Sequence, residues 1–179
     1  MAHRPGSPEP REYNPYFEGY ISRAREISDP VARLAEQLEE VLSLLNTLEP
    51  ATRLHSYAPD KWSIQELLGH ITDTERIFAY RLLRVARGDE TPLPGFDENA
   101  YVVSAEAEKC AWGSLVQEFA CVRRSSLLLL SNLPEAAWTR IGTTSNHPTS
   151  VRALAYIMIG HVEHHIAVLR DRYLSRSGN

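Results

Sequence analysis

The chain has 179 residues, 43% of them hydrophobic and 23% charged, with a net charge of −4. A chain of this length is about one domain and can bury a core without disulfide staples. The mild acidity excludes a general pull towards nucleic acid or anionic membrane, and no apolar run approaches the roughly 20 residues that span a bilayer.

Residues 1–20, opening MAHRPGSPEPREYNP, are proline-rich and lack the apolar core of a signal peptide. They read as a flexible or surface-draped leader to a single helical domain over 21–179, and the protein is expected in the cytoplasm. The first long helix is predicted from Asp29-Pro30, a capping acid with proline at the first helical position. Its apolar face carries Leu34, Leu38, Val41, Leu42, Leu45 and Leu48, and Pro50 ends it.

The second helix opens on the capping box Ser63-Ile-Gln-Glu66 and stops at Gly88. The turn-rich GDETPLPGFDENAYV follows, either a lid or a plain surface segment. A third helix is predicted over roughly 104–132, and a fourth from Thr149 or Ser150 to about Tyr173, after the loop TRIGTTSNHPTS. No strand pattern competes with these helices. Four amphipathic helices joined by long loops indicate an all-α fold, a four-helix bundle, with either up-down or crossover connections. Arginines alternate with acids along the helices, which suits solvated faces. Cys110 and Cys121 read as buried small hydrophobes on one helix, too far apart to pair.

The chemistry concentrates in IGHVEHHIAVLRD. On the fourth helix Leu154, Met158, His161, His165, Val168 and Arg172 recur at the spacing of a core seam. His161 and His165 therefore face inward, and His164 lies about 100° away, nearer the rim. The stretch is not the HExxH of metalloproteases. Its acid, Glu163, stands two residues after His161 and points to the opposite face. The inward stripes also lack the carboxylates of a ferritin-like di-iron site.

An i, i+4 histidine pair is a two-ligand clamp that needs a third donor. His70, in KWSIQELLGHITDTERIF, is the candidate: it lies between Leu67, Ile71 and Thr74 on the buried side of the second helix, beside Gly69. Three neutral imidazoles leave coordination positions open, which is the catalytic rather than the structural pattern. Asp73, one turn on, could orient a ligand. Arg76, Tyr80 and Arg84 form a ridge that could bind a substrate carboxylate or simply be an exposed, salt-bridged face. A lone buried histidine is usually a satisfied core residue; two in a seam and a third on another buried face weigh towards metal. His3, His55 and His147 read as surface or turn residues.

The stretches KWSIQELLGHITDTERIFAYRLLRVARGDETPLPGFDENAYV and SVRALAYIMIGHVEHHIAVLRDRYL resemble the DinB-like superfamily. These are metal-binding four-helix bundles that include bacillithiol- and mycothiol-dependent S-transferases. The resemblance runs from about Asp29 to Tyr173 and maps the family's metal histidines onto His70, His161 and His165. It implies a divalent transition metal, zinc or nickel, a small-molecule substrate and a homodimer. The activity it implies is metal-dependent activation of a low-molecular-weight thiol or of water. A non-catalytic metal-binding or stress-related bundle and a plain helical interaction protein are the competing readings.

Overall fold

The computed structural model describes residues 5–175. Among the described residues there are seven α-helices: α1 (Glu18–Ala24), α2 (Pro30–Asn46), α3 (Pro50–Arg53), α4 (Ile64–Ala86), α5 (Glu98–Ala105), α6 (Trp112–Ser131) and α7 (Val151–Val168). Among the described residues no helix is long and apolar enough to cross a membrane.

The helix starts follow from local chemistry. Asp29 accepts from the backbone N–H of Val31 and Ala32, with Pro30 at the first helical position. Ser63 and Glu66 close a reciprocal capping box at α4, which satisfies two donors that the first turn leaves without partners. Ser150 caps α7 by accepting from Ala153 N–H at 3.0 Å.

The four long helices form the bundle. α4 packs on both α6 and α7, and α2 also packs on both α6 and α7. Helices α2 and α4, consecutive among the long four, therefore lie across a diagonal, and so do α6 and α7. The long connections predicted from sequence are what permit this crossing order.

The core is divided. One apolar cluster gathers Leu34, Phe78, Leu82, Leu130, Leu154 and Met158. The other gathers Leu38, Ile71, Leu115, Phe119, Val162 and Ile166. Between them each long helix contributes a buried polar residue: Gln37 from α2, Glu75 from α4, Arg123 from α6 and His161 from α7. Arg123 donates from Nε and Nη2 to the two carboxylate oxygens of Glu75, both at 2.6 Å. Its Nη1 donates to Gln37 Oε1 and Leu34 O, and Gln37 Nε2 donates to Ile159 O at 3.0 Å. A bidentate, fully hydrogen-bonded pair is the form in which a buried charge is tolerable.

Several expectations are corrected. The segment predicted as a flexible leader is docked from Pro5 onwards: buried Glu12 accepts from Ser150 Oγ at 2.8 Å and Arg152 Nε at 2.7 Å, and Tyr13 is buried. Prolines at 10 and 15 start two short 3₁₀ turns before α1, so the prolines organise the segment rather than loosen it.

The predicted third helix is two helices. Glu106 takes a left-handed conformation (φ 46°) and ends α5, a 3₁₀ turn covers Ala107–Lys109, and Cys110 is extended. Gln65 on α4 fixes this break by donating to Ala107 O and Cys110 O, both at 2.8 Å. Cys110 and Cys121 are free and exposed rather than buried, because one lies in this extended link and the other on the outer face of α6.

The loop after α6 holds an unforeseen hairpin, β1 (Ile141–Thr144) with β2 (His147–Ser150), paired antiparallel. Its two-residue turn, Ser145-Asn146, has positive φ at both positions, the geometry that best matches strand twist. After Val168 the last helix widens to π-type winding over Leu169–Leu174. The extra residue per turn shifts the buried stripe, so Tyr173 is buried and Arg172 is exposed.

Candidate metal centre

α4 and α7 pack side by side and bring the three predicted histidines together. His70 Nε2 lies 3.1 Å from His161 Nε2 and 3.2 Å from His165 Nε2, and the last two are 3.1 Å apart. The ring centroids are 4.5–5.1 Å apart, so the rings converge through their Nε2 corners.

Three nitrogens in mutual contact cannot all be hydrogen-bonded. Each neutral Nε2 is either a donor or an acceptor, and around a triangle the two roles cannot alternate, so at least one contact sets like against like. Three lone pairs directed at one cation remove that conflict. At a zinc–imidazole distance of roughly 2.0–2.1 Å, tetrahedral ligands are separated by roughly 3.3–3.4 Å. The observed triangle is slightly tighter, and the donor set fits a divalent transition metal. Among the described residues this trio is the group of potential ligands able to hold such an ion.

Burial prepares the same histidines electrostatically. Desolvation lowers the pKa of His70 from 6.5 to about 4. It lowers that of His165 to about 3, with the neighbouring histidines adding to the effect. His161 is held well below its ordinary value, first by burial and then by the adjacent histidines. All three are neutral near pH 7, the form that ligates metal. Thr74 Oγ1 stands 3.5 Å from His70 Nδ1, at the outer limit of a hydrogen bond. With the hydroxyl accepting, the Nδ1 proton is fixed there and the Nε2 lone pair faces the centre.

The cluster forms one wall of a cavity of about 430 Å³. Trp62 lies with its ring centroid 4.6 Å from that of His70. Tyr20 meets His161 edge-on at 5.4 Å, and Phe78 does so at 5.9 Å. Burial raises the pKa of Tyr20 to about 12, with smaller contributions from Tyr16 and Glu98, so its hydroxyl stays protonated. The walls next to the histidines are therefore aromatic.

The other sequence candidates divide. His164 is half-buried at the edge, 5.6 Å from the Tyr20 ring and 5.0 Å from the His165 ring. Glu163 does face away, and Arg33 Nε of α2 donates to it at 3.2 Å. Asp73 accepts from Arg76 rather than from His70, and Arg76 also pairs with Glu118 at 2.7 Å. Tyr80 is exposed and accepts from Arg84, which is also paired with Asp89. The ridge is thus the salt-bridged outer face, and it lies outside the cavity. His55 is exposed and His147 is in β2; His3 lies outside the described residues.

Sequence reasoning missed Tyr20, Trp62, Thr74, Phe78 and Arg81. Thr74, Phe78 and Arg81 were reachable, since they follow His70 at steps of four, four and three along one face of α4. Tyr20 reaches the site only because Gly160 lets α1 lie against α7. A methyl group at Gly160 would be 2.0 Å from the Tyr20 carbonyl oxygen.

No curated protein matches the sequence. Among solved structures, YfiT from Bacillus subtilis matches with a TM-score of 0.69 over 92% of this chain and 91% of that one, at 17% identity. YfiT is described as a probable metal-dependent hydrolase with an unusual four-helix bundle topology. At that identity the likeness shows the fold, and the crossing order of α2, α4, α6 and α7 belongs to it. The DinB superfamily model matches residues 33–169, which takes in α4, α7 and all three histidines. The chain belongs to the DinB superfamily.

Proposed function

We propose that this protein is a divalent-metal-dependent enzyme that activates a small nucleophile. The nucleophile is water in a hydrolysis or a low-molecular-weight thiol in an S-transfer. The observation that carries the reading is the convergence of three neutral Nε2 atoms, two from buried and one from a half-buried histidine, at 3.1–3.2 Å on the wall of a ligand-sized cavity. His70, His161 and His165 would hold the ion, zinc or nickel. Bound there, it supplies the Lewis acidity that lowers a nucleophile's pKa towards neutrality.

The chain's own residues do the rest. Trp62, Tyr20 and Phe78 keep bulk water off the histidines and strengthen electrostatic interactions inside the cavity. Thr74 holds the tautomer of His70. The description of YfiT as a probable metal-dependent hydrolase supports hydrolysis. The aromatic walls, with no carboxylate hydrogen-bonded to the cluster among the described residues, favour a thiol, which needs no separate general base to be ionised.

Elemental analysis of the purified protein beside its His70→Ala variant tests the site. We expect close to one transition-metal equivalent per chain, falling below about a tenth in the variant. Equal content in the two would refute the three-histidine site. Turnover of activated esters and of electrophiles with several small thiols then separates an enzyme from a non-catalytic bundle in which the ion only braces α4 against α7.

A further inference from the structure

Arg81 is 3% exposed and lies on the wall of the same cavity as the histidines. Its Nη2 donates to Pro94 O at 2.6 Å and to Ser145 Oγ at 3.0 Å, and the guanidinium stands 5.8 Å over the Phe96 ring. These contacts tie α4 to the segment before α5 and to the hairpin turn. They leave the N–H groups of Nε and Nη1 without a partner among the described residues, and no carboxylate pairs with Arg81 there. A buried guanidinium without a counter-ion is costly unless something charged completes it. The contrast with Arg123, fully paired and bidentate in the same bundle, is direct.

Arg81 is also the cavity's one cationic lining residue, and Glu98 is its one acidic one. A single guanidinium in a cavity that also holds one acid suits a monoanion better than a dianionic phosphate, which ordinarily gathers several cations. His70 and Arg81 are eleven residues apart on α4, roughly 16 Å along its axis. Both side chains lean towards the helix N-terminus, and the longer one of Arg81 reaches further that way than the ring of His70, which closes part of this separation. A ligand that engages both ends is therefore on the order of 10 Å long.

We propose that Arg81 is the carboxylate-binding residue of this cavity, and that the substrate is an elongated small molecule with a terminal carboxylate at Arg81 and its reacting end at the histidines. The reacting-end half of this assignment rests on the metal-centre reading; the carboxylate half does not.

Calorimetric titration of the metal-free and zinc-loaded protein with 8-sulfanyloctanoate and with its amide tests both halves. The acid is expected to bind about tenfold or more tighter than the amide in both forms, the difference made by one charge-assisted contact. In Arg81→Gln that preference should fall below about twofold while the amide's affinity holds, and Arg81→Lys should restore part of it. The short 3-sulfanylpropanoate should show no dependence on Arg81.

A wild-type protein with no preference for the acid overturns the proposal, and so does a folded Arg81→Gln variant that keeps the preference. Equal Arg81 dependence of the short acid overturns the elongated substrate. Should Arg81→Gln fail to fold for want of its bonds to Pro94 and Ser145, the acid–amide comparison in wild type and Arg81→Lys decides. If the protein takes up no zinc, the metal reading fails alone, and the metal-free titration still judges Arg81.

Discussion

Gly160 of α7 and Tyr20 of α1 are in backbone contact, closer than any side chain would allow: a β-carbon on Gly160 would lie 2.0 Å from Tyr20 O and 2.8 Å from its Cα. Gly160 immediately precedes a predicted metal ligand, and Tyr20 covers that ligand's ring. The glycine sets how closely the cavity's outer wall approaches the histidines.

Gly160→Ala should therefore destabilise the protein by about 1–3 kcal/mol or more, because the clash is with backbone and cannot be relieved by a rotamer change. In an open helical site the same change would stabilise by about 0.5–1 kcal/mol. Gly113→Ala on α6 is the control, since its new methyl would meet nothing within 4 Å. Urea denaturation of the two variants checks this, and a Gly160→Ala protein as stable as wild type would contradict the packing.

Arg123→Met should cost about 3–5 kcal/mol, since it strands the Glu75 carboxylate in the interior. Adding Glu75→Gln should return part of that loss, because no charge is then left unpaired. The midpoint shift in urea, with an unchanged denaturant slope, reads the effect. Equal losses for single and double variants would mean that the ion pair is not the cause.

Acid should weaken the metal-free protein earlier than its carboxylates allow. His70 and His165 titrate at about 4 and about 3 in the fold, against 6.5 for the ordinary imidazole. Below pH 6.5 the unfolded chain takes up protons that the fold refuses, so stability is complete above 6.5 and falls as pH drops towards those values. Glu12 contributes in a lower window. Burial alone would raise its pKa, but the bonds from Arg152 and Ser150 bring it below 4.5 overall, so its contribution is lost only under more acid conditions. Melting temperatures of metal-free protein should decline between about pH 6.5 and 4.5. A flat profile across that interval would show that the histidines are not neutral and buried.

Thr74→Val keeps the shape of the side chain and removes the hydroxyl from His70 Nδ1. Loss of such an outer contact typically weakens metal binding 10–100-fold. With a 3.5 Å contact, a loss near tenfold is expected, measured by competition with a chromophoric chelator. An unchanged affinity would assign the orientation of His70 to Trp62 and helix packing instead.

Much of this site was legible because its ligands obey helical periodicity. His161 and His165 fall in an apolar seam, and His70 sits between Leu67 and Ile71 beyond an unmistakable capping box. The walls were not legible, for reasons that differ residue by residue. Tyr20 belongs to a segment whose proline content suggests looseness, yet its order depends on Glu12 meeting Ser150 and Arg152, some 140 residues away. Arg81 hides among Arg76, Arg84 and Arg87, which share its chemistry but not its face. The break at Glu106 comes from Gln65 bonding two carbonyls across space, against a local sequence that would continue as helix. Ser145-Asn146 was the one overlooked local signal, a two-residue turn between short threonine-containing strands.

The polar layer formed by Gln37, Glu75, Arg123 and His161 also fixes the alignment of the helices. Aliphatic seams of leucine and valine tolerate sliding, since one turn of Leu looks much like the next. Here a slip of any long helix by one turn would drive a charge or an imidazole into leucines and leave its partner stranded. The layer thus works as an index mark: it makes one alignment of four helices far better than its neighbours. That alignment is also the one in which three histidine nitrogens meet.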